Sequence, residues 1–186
     1  MLAAGVAAGS LAASSFHINA AAPTSIEVPH RYFPHPAPAS TDPITFHGGA
    51  VMSGTSHLYI IWYGPWTSAT QTARRTLLTD FVQHLDGPWW AINKGYLGKG
   101  GAAVGGAPVL TKEVVDKGSS GVSQLTDAAI GKVVQRALNR KQLPIDAQGI
   151  YMVLTSSAVS KVGFLTQYCG WHSWFSKGKV AVKYSF

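Results

Sequence analysis

The sequence has little cysteine, little acidic charge and no long apolar run. The single Cys among 186 residues excludes an internal disulfide framework and a cysteine-rich zinc site. No apolar stretch reaches the ~20 residues of a membrane-spanning helix, so we expect no membrane span. Hydrophobic residues make up 46% of the chain, which excludes wholesale disorder. The length suits about one domain.

The N-terminal residues 1–20 contain no charged side chain and are rich in Ala, Gly and Leu. This composition predicts a secretory signal peptide cleaved after Ala20, although no basic residue precedes Arg31. A flexible Ala/Gly tail is the alternative. Prolines crowd residues 21–44 and predict a Pro-rich linker. Residues 45–186 are then the globular part of a protein that we expect to be secreted, in the extracellular space or the cell wall.

Acidic residues are scarce: eight stand against 15 Lys and Arg, for a net charge of +7. Such an excess favours anionic partners. The basic residues are scattered, and no helix-turn-helix, RNA-binding aromatic motif or zinc finger accompanies them, so we predict no nucleic-acid binding. An acidic wall polysaccharide or an extracellular protein is the expected partner, and tryptophans in predicted loops could stack on sugar faces.

Strand and helix patterns alternate through the globular part. The helix that follows Thr67 or Ser68 carries its apolar residues Leu77, Phe81 and Leu85 at i, i+4 and i+8, with Leu78 and Val82 beside them, and places Gln71 on another face. Alternating elements with apolar strands predict an α/β fold, with a mixed, partly parallel sheet and flanking helices. The expected strands are 57–63, 109–115, 150–154 and 180–186, and the expected helices follow Thr67 or Ser68 and span 123–139.

The motifs that carry chemistry are weak. The glycine-rich segment 98–106 matches no phosphate-binding pattern, and no G-x-S-x-G elbow or H-E-x-x-H helix is present. Cys169 and His172 have the spacing of half a metal site, which His47 or His57 could complete, or of a nucleophile pair. The alternative is a disulfide-bonded Cys169 and a hydrogen-bonded His172. No catalytic residue, metal or cofactor is predicted, and whether the protein is an enzyme stays open.

The candidate functional loop follows the strand Ile150–Leu154, because ligand sites in open α/β sheets favour the carboxyl ends of strands. His47, in a His-Gly-Gly turn, is added as the next choice. The candidate residues are Gln167, Cys169, Trp171, His172, Trp174 and His47.

Several segments together resemble the EXORDIUM or phosphate-induced protein family of plants. The resemblance covers about Thr45 to Phe186 and depends on the order of its segments. They are His47-Gly-Gly-Ala-Val-Met-Ser-Gly54, Leu58-Tyr-Ile-Ile-Trp-Tyr-Gly64, Pro88-Trp-Trp90, Val153-Leu-Thr-Ser-Ser-Ala-Val159 and Cys169-Gly-Trp-His172.

The resemblance implies a secreted, apoplastic or wall-associated protein linked to growth and cell expansion, with no settled biochemical activity. It also implies that residues 45–186 are the N-terminal part of an incomplete domain, a fragment truncated after Phe186. The disulfide partner of Cys169 would then lie outside this chain. Leu165 stands where plant members usually carry a second Cys.

Some non-plant relatives of this family look zincin-like. The alternative function is therefore a secreted metallohydrolase whose metal-binding helix lies downstream of this chain. Zinc is an expected cofactor under this alternative alone.

Overall fold

A computed structural model describes residues 46–48 and 51–186. The predicted signal peptide and linker, residues 1–20 and 21–44, lie outside the described residues. The strands are β1 (His57–Tyr63), β2 (Val109–Asp116), β3 (Gln124–Leu125), β4 (Gly149–Thr155), β5 (Ser160–Lys161), β6 (His172–Lys177) and β7 (Val180–Ser185). The helices are α1 (Ala69–Gln83), α2 (Pro88–Ala91) and α3 (Asp127–Asn139), with 3₁₀ turns at Ile92–Gly95 and Lys99–Gly101.

The main sheet has the strand order β2-β1-β4-β7-β6. Its first four strands run parallel to their neighbours, and β6 pairs antiparallel with β7 as a hairpin edge. The α/β class with a mixed, partly parallel sheet is therefore confirmed. A separate pairing of β3 with β5 joins the start of α3 to the loop after β4.

Strand β1 is buried on both faces, as its continuous apolar run predicts. On one face, Tyr59, Ile61 and Tyr63 join side chains of β4, β7 and α3 in the larger core. On the other face, Leu58, Ile60 and Trp62 form a smaller core with α1. Helices thus cover both faces of the sheet.

Helix α1 packs on the sheet through one of its two apolar stripes. Leu77 and Phe81 are exposed, while Leu78, Val82 and Leu85 pack on the sheet. The apolar positions of this helix fill two adjacent stripes, and the pattern did not show that the sheet would bury Leu78 and Val82 and leave Leu77 and Phe81 exposed.

Gln71, which was expected on another face of α1, is buried. It forms a capping box with Ser68, and its side-chain amide donates to Ser157 Oγ at 3.1 Å. This polar helix start fixes α1 against the loop after β4.

The smaller core includes Ile150, Met152 and Leu154 of β4. Within the described part of the chain it contains no side chain of β6 or β7. On the same sheet face Trp174 of β6 is 63% exposed, so the described residues leave this end of the face open.

Candidate functional site

The candidate segment 167–174 is split between two kinds of structure. Gln167 and Cys169 lie in the loop after β5, but His172 and Trp174 belong to β6, where a loop was expected. Aromatic residues on both faces of this strand hide the period-two alternation that normally identifies a strand. Because successive strand residues point to opposite faces, the candidate residues cannot form one cluster.

Trp171 faces the larger core. Its ring packs edge-on against Tyr184 with 5.6 Å between ring centroids, and it is partly buried there. Its indole N–H has no hydrogen-bond partner among the residues that the structure describes. Trp171 is therefore a structural residue.

His172 and Trp174 lie on the opposite, uncovered face. Trp174 is 63% exposed and stands directly across from Lys183 of β7 in the antiparallel register. These side chains line a cavity of about 540 Å³, which we call the sheet groove. Its floor and walls include Met52, Ile150, His172, Trp174, Lys183 and Ser185. The sequence places His172 and Trp174 correctly as neighbours, but Met52 and Lys183 reach the groove through the fold alone.

Lys183 is the cation of the groove. Its ammonium donates to the carbonyl of Ala147, which holds the side chain in place. An ammonium has three N–H donors, so two are left for a ligand. A positioned cation beside an exposed indole on an apolar floor suits an amphipathic, anionic ligand.

A buried lysine fixes the loop that leads to the groove. The Lys161 side chain is only 3% exposed, and its Nζ lies 2.5 Å from Asp127 Oδ1 and 2.6 Å from the Tyr168 hydroxyl. The ammonium also lies 5.2 Å and 5.8 Å from the ring centroids of Tyr168 and Trp171. Burial opposes the charged form of Lys161, but the hydrogen bonds that its ammonium donates to Asp127 and Tyr168 outweigh this effect and raise the pKa of Lys161. No sequence pattern pointed to this residue.

A second polar cluster lies at the opposite end of the sheet, where β1 begins. Since a carboxylate only accepts, His57 donates from Nδ1 to Asp146 Oδ2 at 2.6 Å, and the Tyr59 hydroxyl donates to the same oxygen at 2.8 Å. Burial works to raise the pKa of Asp146, but these bonds and the Gln148 N–H together lower it. The pKa of Tyr59 is raised, mainly by burial. The hydrogen bond to Asp146 and the negative charge of Asp146 add to this effect.

The sequence suggests His57 only as a possible metal ligand, and no pattern in it points to Asp146. Asp146 is in a polar stretch ahead of β4, and its pairing with a residue 89 positions away follows from the parallel register of β1 and β4. The pair joins the two central strands at their amino ends.

His47 does not line the sheet groove. Cys169 is exposed in its loop, where a partner thiol could reach it. A disulfide with a residue outside this chain stays a prediction.

Over the described residues, no group of three or more His, Cys, Asp or Glu side chains is arranged to hold a metal ion. The half-site of Cys169 and His172 is therefore not completed by His47 or His57 there. The zinc alternative depends on residues outside this chain and stays a prediction. No described helix is both long and apolar enough to cross a membrane.

The structure is an α/β fold whose sheet carries a groove lined by Trp174, Lys183 and apolar side chains. A family model described as the phosphate-induced protein 1 conserved region matches residues 44–186. The chain therefore belongs to the EXORDIUM and phosphate-induced protein family, which confirms the resemblance drawn from its motifs.

The chain is similar to several curated plant proteins. It is 28% identical to protein EXORDIUM-like 5 of Arabidopsis thaliana over 140 residues, which covers 69% of this chain and 38% of that protein. It is 25% identical to protein EXORDIUM of Arabidopsis thaliana over 146 residues, covering 69% and 43% of the two chains. It is 26% identical to protein PHOSPHATE-INDUCED 1 of Nicotiana tabacum over 148 residues, covering 74% and 44%. The chain thus spans less than half the length of these relatives. No solved structure matches it significantly.

Proposed function

We propose that this protein is secreted and acts in the cell wall or extracellular space, where it binds acidic polysaccharide. Its link to growth and cell expansion would follow from that binding. The observation that carries the proposal is the exposed, unpaired positive charge of the domain. Among the described Lys and Arg side chains, only Arg75 and Lys161 lie within ion-pair distance of a carboxylate.

Two local basic clusters are Arg74 with Arg75, and Arg136 with Arg140 and Lys141. In each cluster one residue has a structural partner. Arg75 lies 4.9 Å from the centroid of the Trp62 ring and 4.0 Å from Glu113, and Arg136 donates to the Ser119 carbonyl. Their replacement would disturb packing as well as charge. They are therefore poor probes of polysaccharide binding.

Exposed basic residues of the same clusters are better probes. Arg74, Arg140 and Lys141 are all exposed. Lys141 has a φ of +56°, which Asn tolerates better than most residues. The triple variant Arg74→Gln, Arg140→Gln, Lys141→Asn removes three charges at little structural cost. Its matched control, Arg74→Lys with Arg140→Lys, keeps the charge.

The test is retention of the chain on immobilised polygalacturonate across a salt gradient. We expect the wild-type chain and the charge-conserving control to elute at the same salt concentration and the triple variant to elute earlier, because salt screens exposed charges. Failure of the wild-type chain to bind at low salt would overturn the proposal. Identical elution of the triple variant would overturn its electrostatic basis.

Secretion has its own test, the N-terminal sequence of the exported protein. If residues 1–20 are a signal peptide cleaved after Ala20, the mature chain begins at Ala21. Retention of the whole chain inside the producing cell would contradict the proposal.

A further inference from the structure

We propose that the sheet groove is a specific site for an oligosaccharide of uronic acids, in which Trp174 stacks on a sugar ring and Lys183 pairs with its carboxylate. This inference rests on the proposed function. It adds the substrate class and the residues that would select it.

Trp174 is the first reason. An indole that is 63% exposed on a regular strand adds little to the stability of the core, yet it presents a flat, apolar surface. The strand also holds the ring in a fixed direction, which reduces the entropy lost on binding. Binding sites that hold small ligands combine such aromatic surfaces with a few placed polar groups.

The placed polar groups are the second reason. Lys183 is the cross-strand neighbour of Trp174, and its bond to the Ala147 carbonyl fixes it beside the indole. His172 lies two residues from Trp174 on the same strand face, about 6.6 Å along the strand, and is paired with Ser185. The groove therefore offers a stacking surface with a cation on one side and the hydrogen-bonding side chains of His172 and Ser185 along the strand.

Charge complementarity selects an anionic sugar over an apolar protein segment. Covering the groove with an apolar helix would bury the Lys183 ammonium with a single carbonyl partner, and burying an unpaired charge is costly. A uronic acid removes that cost because its carboxylate accepts from the two remaining N–H donors. Its ring carbons can at the same time contact Trp174.

The experiment measures binding of a defined galacturonic acid oligomer by calorimetry, at physiological salt, where distributed charge is screened. Trp174→Ala is compared with Trp89→Ala, a matched control in which the tryptophan is also 63% exposed but lies in α2, outside the groove. We expect Trp174→Ala to weaken binding at least tenfold and Trp89→Ala to leave it unchanged.

Variants of Lys183 test whether this residue makes the groove prefer a charged oligomer to a neutral one. We expect Lys183→Met to weaken binding of the galacturonic acid oligomer severalfold, to leave a neutral galactose oligomer of equal length unaffected, and to be rescued in part by Lys183→Arg. Equal losses for the charged and neutral oligomers would overturn the role of Lys183.

A measurement on the wild-type chain tests the site without relying on variants that could fail to fold. Bound oligomer should protect Trp174, and not Trp89, from oxidation by N-bromosuccinimide, as read by mass spectrometry of the peptides. Equal oxidation with and without oligomer would overturn the site.

Two further outcomes distinguish failure of the groove site from failure of the proposed function and from self-association. Wild-type retention on polygalacturonate with no effect of Trp174→Ala would overturn this inference and leave the proposed function standing, whereas no wild-type retention would remove both. A dimer in light scattering that Trp174→Ala converts to a monomer would assign the groove to a second copy of the chain and overturn the sugar site.

Discussion

The ion pair between the buried Lys161 and the exposed Asp127 predicts an asymmetric response to mutation. The Lys161 side chain is 3% exposed, whereas the Asp127 side chain is 74% exposed. Removing the lysine leaves a carboxylate that water can hydrate. Removing the carboxylate leaves a buried ammonium with only neutral oxygens nearby, the Tyr168 hydroxyl and the Val162 carbonyl.

The magnitudes follow from this difference in exposure. Removing one partner of a fully buried pair costs about 3–5 kcal/mol, and the exposure of Asp127 reduces that figure to about 2–3 kcal/mol for Asp127→Asn. Lys161→Met loses hydrogen bonds and ring contacts worth roughly 1–2 kcal/mol, but it also removes the cost of burying the charge. We therefore expect Lys161→Met to cost about 1 kcal/mol or less.

Asp127 also lies in the first turn of α3, where an acidic residue stabilises the helix by about 0.3–1 kcal/mol. The double-mutant cycle separates this contribution, because it persists in the Lys161→Met background while the pairing energy does not. We expect Asp127→Asn to cost less than about 1 kcal/mol in that background.

The assay is urea unfolding at neutral pH, followed by circular dichroism for the wild type, both single variants and the double variant. An equal or larger loss of unfolding free energy for Lys161→Met than for Asp127→Asn would refute the reasoning, because it would mean that the buried charge is not the dominant cost.

Three other predictions concern separate parts of the fold. Gly64 has a φ of +92°, and a Cβ there would lie 2.6 Å from Ser156 Oγ, so Gly64→Ala should destabilise by at least ~2 kcal/mol. Gly87→Ala, with a φ of +82° and no atom within 4 Å, is the control for backbone strain alone, and an equal loss for both would exclude the steric contribution. Because the pKa of Asp146 is lowered in the folded protein, its stabilisation is present above its ordinary value of 3.8 and is lost as the pH falls through the folded pKa. The unfolding free-energy gap between wild type and Asp146→Asn should therefore narrow below about pH 4, and a constant gap from pH 6 to 3 would contradict the assignment. The exposed Cys169 should react with a thiol reagent in the reduced native chain at the rate of an unfolded peptide, and a freely reactive Cys169 in the secreted protein would show the predicted disulfide to be wrong.

The sheet was predictable because its strands carry strong local signals. The run His57–Tyr63 is apolar nearly throughout, and a strand buried on both faces needs such a run. Helix α3 likewise buries Val133, Val134 and Leu138 of the apolar stripe that its spacing indicates, and Thr126, one of the two cap residues that the sequence offers, caps it. The buried face of α1 was not predictable in this way. Leu77 and Leu78 are both apolar, and only packing against the sheet decides which one is buried.

The groove was only half predictable, for a reason that concerns strand geometry. Trp171 and Trp174 are three residues apart, and a spacing of three puts them on opposite faces of an extended chain. The expected loop would have allowed both rings to face one ligand. Once His172–Lys177 is a strand, Trp171 is committed to the core and Trp174 to the open face.

Lys183 completes the groove through a pairing that no local pattern contains. It belongs to the exposed face of β7, where a lysine ordinarily needs no explanation because charged residues favour solvent. Only the antiparallel register of β6 and β7 sets it opposite Trp174, and only the position of α1 over β1 and β2 leaves that end of the sheet open. The local sequence determines which strands form, whereas the sheet groove arises from the strand order and from the part of the sheet that the described helices do not cover.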